Sequence, residues 1–98
     1  MWVLAAHFDL HIPAALTLKE KRRVVRPVID GLRAHFNAGV AEVDGHDLWQ
    51  RCGVGVSLVG SDAGVLEKVL HDMEKFVCRH PGLELLDVTE RLYQTDDD

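Results

Sequence analysis

The sequence predicts an α+β fold, a ferredoxin-like βαββαβ two-layer sandwich in which a four-stranded antiparallel sheet carries two helices on one face. Two observations predict it. Four apolar stretches have the spacing of strands, and two stretches with helical spacing lie between the first and second and between the third and fourth of them. Because 98 residues suffice for one hydrophobic core, we expect a single domain over residues 1–95, followed by an acidic disordered tail, 96–98.

The first strand is predicted from strict alternation over residues 2–12. One face carries Trp2, Leu4, Ala6, Phe8, Leu10 and Ile12. We expect this face to lie against the helices.

The first helix is predicted over Leu18–Phe36, because Thr17 and Glu20 have the spacing of a capping box. Its predicted core stripe is Leu18, Val25, Ile29, Leu32 and Phe36. Pro27 lies inside the helix, but the stripe keeps its phase on both sides, so we expect a kink there and no break.

The remaining elements follow from shorter patterns. Val40–Val43 and Gln50–Val59 predict two strands joined as a hairpin, and Ser61 or Asp62 can cap a second helix that stops near His80. A last strand is predicted at about Leu85–Tyr93. In this arrangement we expect both helices to begin at the same end of the sheet, where their N-terminal amides would attract anions.

Charge is unevenly distributed along the chain. The net charge is -5, yet the segment from Lys19 to Arg33 has six basic and two acidic residues. Helical geometry brings five of the cations close together, namely Lys19, Arg22, Arg23, Arg26 and Arg33. Such a stripe can follow a phosphate backbone, although a solvated helix face is a common alternative for a single basic helix.

Catalytic and metal chemistry finds little support in the sequence. His7, Asp9 and His11 point the same way from one strand, but their spacing of about 6.8 Å is wide for one ion, so an exposed polar face explains them better. Cys52 and Cys78 have apolar neighbours and are interpreted as reduced core thiols. No nucleophile with a nearby base, phosphate loop or zinc spacing is present, so we predict no enzyme, no metal and no cofactor.

The helix-free face of the sheet is predicted to carry small side chains. These outward positions are Val3, Ala5, Gly53, Gly55, Ser57 and Val59. A flat, weakly polar face commonly packs against a copy of itself, so we expect a homodimer. RNA-binding modules that stack bases on this face need aromatic residues on the first and third strands, which are absent here.

The location of the protein is predicted from what the sequence lacks. No apolar run reaches the roughly 20 residues that span a bilayer, and no basic region precedes the apolar start of the chain. We therefore expect a cytoplasmic protein without membrane contact.

Five segments together resemble the YlxP-like family of uncharacterised small bacterial proteins. They are Leu18–Arg23, Phe36–Asn37, Val40–Val43, Asp47–Arg51 and Gly53–Val56. The resemblance covers nearly the whole chain, with Pro27 and His46 as departures. It implies a ferredoxin-like fold and, because genes of the family often lie among genes for translation initiation and ribosome-binding factors, a ribosome-associated role.

Two functional hypotheses follow. The first is a non-enzymatic accessory protein that binds structured RNA or a ribosomal particle through the basic first helix. The alternative is a homo-oligomeric module that binds a small ligand or a protein without catalysis. Salt-sensitive binding would favour the first and salt-insensitive binding the second.

Overall fold

The computed structural model describes residues 1–95, so the tail predicted at 96–98 lies outside the described residues. The strands are β1 (Trp2–His11), β2 (Gly39–Asp44), β3 (Arg51–Gly60) and β4 (Glu84–Gln94), and the helices are α1 (Leu18–His35) and α2 (Ala63–Cys78). All neighbouring strands are antiparallel in the order β2-β3-β1-β4. Both helices pack on one face of this sheet, which confirms the predicted ferredoxin-like fold.

The inner face of the sheet forms from the alternation that the sequence shows. Leu4, Phe8 and Leu10 of β1 are fully buried, and Val54 and Val56 of β3 lie beside them. Because successive side chains of a strand point to opposite faces, this burial leaves the odd-numbered residues of β1 on the helix-free side. That side is hereafter called the open face.

Helix α1 begins at the predicted cap, where the Thr17 hydroxyl accepts a hydrogen bond from the Glu20 amide at 3.1 Å. The helix runs through Pro27 without a break, and Arg23 and Pro27 are both exposed. Water can therefore reach the Arg23 carbonyl, which loses its helical partner because proline has no amide hydrogen.

The buried face of α1 differs from the predicted stripe. Its buried residues are Lys21, Val25, Val28 and Leu32, whereas Leu18, Ile29 and Phe36 are only partly buried. The helix is thus rotated slightly relative to the expectation, and a lysine lies in its inner face.

Helix α2 begins at Asp62, whose carboxylate accepts a hydrogen bond from the Val65 amide at 3.1 Å. Its core residues are Leu66, Leu70, Met73 and Val77, with Val69 and Phe76 partly buried. These six residues recur at helical spacing along one side of α2, which therefore packs on the sheet as an amphipathic helix.

Two expectations were wrong. Strand β1 ends where β3 begins, since His11 is opposite Arg51, and β3 ends opposite Trp2. The two helices follow these antiparallel strands and therefore begin at opposite ends of the sheet, so their N-termini cannot attract one anion together.

Cys52 is buried as predicted, but Cys78 is exposed because it is the last residue of α2 and follows the buried Val77 around the helix.

Candidate nucleic-acid interface

Four of the predicted cations form an exposed surface on α1. Lys19, Arg22, Arg23 and Arg26 are all exposed, and seven residues of helix separate the first from the last, about 10 Å along the axis. Within residues 1–95, none of the four makes an ion pair. These four residues are hereafter called the basic surface.

The basic surface borders two depressions. Pro27 and Asp30 complete a shallow one over the outer side of α1. Arg22 and Arg26 also line a groove of about 230 Å³ between α1 and β2, together with Arg33 of the same helix and Glu42 of β2. Arg22 and Arg26 therefore border both depressions, whereas Lys19 and Arg23 border only the outer one, and an anionic chain can approach all four cations from the outer side.

Arg33, the fifth predicted cation, contacts the backbone of the protein. Its Nη2 and Nε atoms donate hydrogen bonds to the Val40 carbonyl at 2.6 and 3.1 Å, and its Nη1 lies 3.9 Å from the Asp30 carboxylate. Bonds to a charged donor are stronger than neutral ones. Arg33 thus joins α1 to β2 and is less available to a ligand than the four residues of the basic surface.

Lys21 is a buried charged residue whose role the sequence patterns did not indicate. Its side chain is 2% exposed, and its ammonium group donates to the Gly45 carbonyl at 2.8 Å and to the His46 and Arg51 carbonyls at 3.4 Å. The ammonium also lies 3.4 Å from the Glu42 carboxylate. A buried ammonium needs such partners, because desolvation of a charge is costly. Lys21 therefore fixes the segment between β2 and β3 to α1.

Glu42 joins this buried lysine to a thiol. Burial raises the pKa of its carboxyl, but the hydrogen bond from the Cys52 thiol at 2.9 Å and the charge of Lys21 outweigh it, so the pKa lies below its ordinary value. Burial, and to a smaller extent the hydrogen bond to Glu42, raises the pKa of Cys52 to about 12. A thiol with so high a pKa is a poor nucleophile at neutral pH, so this cluster is structural in character.

The open face has less free surface than its small residues suggest. His7 Nε2 lies 2.7 Å from Asp44 Oδ2, and these two side chains meet over Gly53. A Cβ atom added at Gly53 would lie only 2.6 Å from His7 Nε2. Gly53 is consequently buried, and Val43 covers Gly55 in a similar way, with its Cγ1 3.0 Å from an added Cβ.

The other predicted interface residues reach solvent to differing degrees. Ala5, Ser57 and Val59 are exposed and Val3 is partly exposed. The open face also presents Val43 and Tyr93, which are about half exposed.

The three polar residues of β1 are not assembled into one site. His7 contacts Asp44, the Asp9 carboxylate accepts a hydrogen bond from Arg51 at 2.7 Å, and His11 lies 3.7 Å from Glu84. Asp9 and His11 therefore have partners on the neighbouring strands β3 and β4, whereas His7 reaches Asp44 of β2 across Gly53 of β3. Across residues 1–95 no group of three or more histidine, cysteine or acidic side chains could hold a metal ion.

Comparison with known proteins agrees with this picture of the fold. A de novo designed protein with a ferredoxin fold, solved by solution NMR, superimposes with a TM-score of 0.53 at 13% identity, covering 100% of this chain and 89% of the designed one. At this low identity the likeness shows the fold alone. In the described part of the chain, no helix is long and apolar enough to cross a membrane.

Sequence comparison shows the family. The chain is 32% identical over 68 residues to the uncharacterized protein YlxP of Bacillus subtilis (strain 168), covering 69% of this chain and 74% of that protein. Residues 3–90 match the family described as "Protein of unknown function (DUF503)". The resemblance drawn from the sequence is thus confirmed, and the chain belongs to the DUF503 family.

Proposed function

We propose that the protein is a non-enzymatic accessory factor that binds structured RNA, in free form or in a ribosomal particle, through the basic surface of α1. The observation that carries this proposal is the absence of ion pairs for Lys19, Arg22, Arg23 and Arg26 within residues 1–95. In a chain with a net charge of -5, four such cations on two turns of one helix create a local positive field.

Phosphate groups fit this surface better than isolated carboxylates do. The cations follow the helix axis for about 10 Å, a length over which a nucleic-acid backbone presents more than one phosphate. Helix α1 is held in place by Lys21 and Arg33, so the backbone that carries the basic surface is fixed before a ligand binds. Binding to a ribosomal particle is supported by the gene neighbourhood that the family resemblance implies. We further propose that this binding takes place in the cytoplasm.

Charge reversal in the variant R22E/R26E should abolish binding to ribosomal particles. Binding by the natural protein should weaken on the order of 100-fold between 50 and 200 mM salt if about four phosphates are neutralised, because released counterions favour association. Co-sedimentation with ribosomal subunits and anisotropy of a labelled structured RNA measure both effects.

The matched control for this experiment is K68E/K75E, which makes the same change in net charge at two exposed positions of α2. This variant should bind nearly as well as the natural protein. Equal binding by R22E/R26E and K68E/K75E, or no binding by the natural protein at 50 mM salt, would contradict the proposal.

A second candidate, a homodimer formed through the open face, is favoured by a specific observation. Val43, Val59 and Tyr93 are 47%, 62% and 50% exposed on a face that neither helix covers. A second copy related by a two-fold axis could cover this apolar area together with Val3, Ala5 and Ser57. Gly53 and Gly55 would support such an interface only indirectly, because side chains of the same chain lie over them.

The variant A5K should convert this dimer into a monomer. Ala5 is exposed on the open face of β1, one of the two central strands, and a lysine there would bury a charge without a partner in the dimer. The control is A34K, the same change at an exposed position of α1. Light scattering should give a mass of about twice 11.0 kDa for the natural protein and A34K, and 11.0 kDa for A5K. A natural protein that is monomeric at micromolar concentration would exclude the dimer.

A further inference from the structure

Two large apolar side chains are exposed side by side in the loop between β2 and β3. Leu48 is 55% exposed and Trp49 is 53% exposed. This segment, residues 45–50, is hereafter called the hairpin loop. Single exposed apolar residues are common on protein surfaces, so exposure alone shows little. The contacts of the loop are more informative.

The hairpin loop is held by hydrogen bonds on both sides of Trp49. Before it, the Leu48 amide donates to the Gly45 carbonyl at 3.0 Å, and the same carbonyl accepts a bond from Lys21. Gly45 has a positive φ of 74°, a conformation that glycine adopts without strain.

After Trp49, the Gln50 side-chain amide donates to the carbonyls of Pro13 and Ala15 at 3.1 Å. The Gln50 carbonyl accepts a bond from the Ile12 amide at 2.9 Å. The indole is therefore presented from a backbone that is already ordered, which lowers the entropic cost of using it in binding.

The hairpin loop lies next to helix α1, which carries the basic surface. Lys21 lies between Glu20 and Arg22 in α1, and its ammonium reaches the loop carbonyls directly. The loop backbone is therefore one lysine side chain away from the first turns of α1, where Lys19 and Arg22 are exposed. We therefore expect an anionic chain that lies on these cations to come within reach of the hairpin loop.

We propose that Trp49 stacks on an unpaired base of the RNA whose phosphates the basic surface binds. This inference rests on the proposed function and narrows its ligand to RNA that presents unpaired nucleotides beside a structured region. Proteins that bind single-stranded nucleic acid combine cations that follow the backbone with aromatic rings that stack on bases. Strands β1 and β3 present no phenylalanine, tyrosine or tryptophan on the open face, so we assign the stacking platform to the exposed indole of the hairpin loop.

Truncation of Trp49 tests the inference. W49A should weaken binding to a hairpin RNA with an unpaired loop about 5- to 150-fold, the range expected for loss of one stacked base. It should leave binding to a blunt duplex unchanged, since a duplex offers only phosphates to the basic surface. W49F should retain most of the affinity, and the control L48A, which truncates the neighbouring apolar residue, should change it little.

Fluorescence gives a second, independent readout. In W2F the indole of Trp49 is the only one left, because the chain has two tryptophans. Looped RNA should quench its emission, and duplex RNA should not. The affinities of W49A and W49F are measured separately, with labelled RNA and with Trp2 in place. The affinity measurement therefore does not depend on the folding of W2F.

The possible failures are distinguishable. If looped RNA binds with dependence on Arg22 and Arg26 but W49A has unchanged affinity and no quenching occurs, the stacking inference is overturned and the proposed function stands. If neither RNA binds at 50 mM salt, the proposed function fails and the inference fails with it. A blue shift of Trp49 emission with anionic vesicles but not with RNA, or equal losses in L48A and W49A, would overturn stacking in favour of a membrane or protein contact.

Discussion

Replacing Lys21 with methionine is expected to lower the free energy of unfolding by about 3 kcal/mol, because the change removes a buried, hydrogen-bonded charge. The Lys21 side chain is 2% exposed and contacts three carbonyls and one carboxylate. In the variant these acceptors lose the ammonium group, although the Gly45 carbonyl keeps its bond from the Leu48 amide. Glu42 keeps a partly buried charge without the Lys21 cation beside it. Urea unfolding followed by circular dichroism measures the difference.

The matched control is K19M, the same substitution two residues earlier on the exposed side of α1. It should change the free energy of unfolding by less than about 0.5 kcal/mol. Adding E42Q to K21M should recover part of the loss, because it removes the charge that Lys21 balances. A K21M protein within about 1 kcal/mol of K19M would show that the ammonium contributes little.

The two cysteines are expected to differ at least about 1000-fold in their rate of alkylation at pH 8, because thiolate is the reactive form. Burial and the Glu42 hydrogen bond raise the pKa of Cys52 to about 12, and its side chain is 1% exposed, whereas Cys78 is exposed. Mass spectrometry of iodoacetamide-treated protein should find fast labelling at Cys78 only, and labelling at both residues in urea.

The variant C78S isolates the slow thiol. In native buffer it should remain unlabelled over the time in which the natural protein is fully labelled at Cys78. Rapid labelling of folded C78S would mean that the strand around Cys52 opens readily, and would contradict the described burial of this residue.

Much of the fold could be predicted from local patterns, because strands and helices bury residues at periods that the sequence displays. The inner face of β1 and the caps at Thr17 and Asp62 are examples. The helix N-termini were wrongly placed at one end of the sheet, although an antiparallel pairing of β1 with β3 already requires α1 and α2 to begin at opposite ends. Cys78 was misplaced because an apolar neighbourhood was given more weight than its position beside the helix stripe.

The candidate site was less predictable, partly because its contacts join residues that are far apart in the sequence. Lys21 was overlooked because a lysine in a basic run is normally solvated, yet it lies four, seven and eleven residues before Val25, Val28 and Leu32, which is the spacing of a buried stripe. The backbone acceptors of Lys21 and Arg33 lie on β2, on β3 and in the hairpin loop, so no local pattern could reveal these contacts. Exposure of the four cations of the basic surface did follow from helical geometry.

The bond between Arg33 and the Val40 carbonyl has a consequence for solubility. Strand β2 is an edge of the sheet, and an unprotected edge is a template on which strands of other molecules can add and aggregate. An incoming strand that used the Val40 carbonyl would have to displace a charged donor held at 2.6 Å. The register shift between Glu42 and Asp44 further interrupts the regular edge, since bulges twist a strand out of the flat geometry that addition requires. This edge of the sheet is therefore protected against the addition of strands from other molecules, the first step of growth into fibrils.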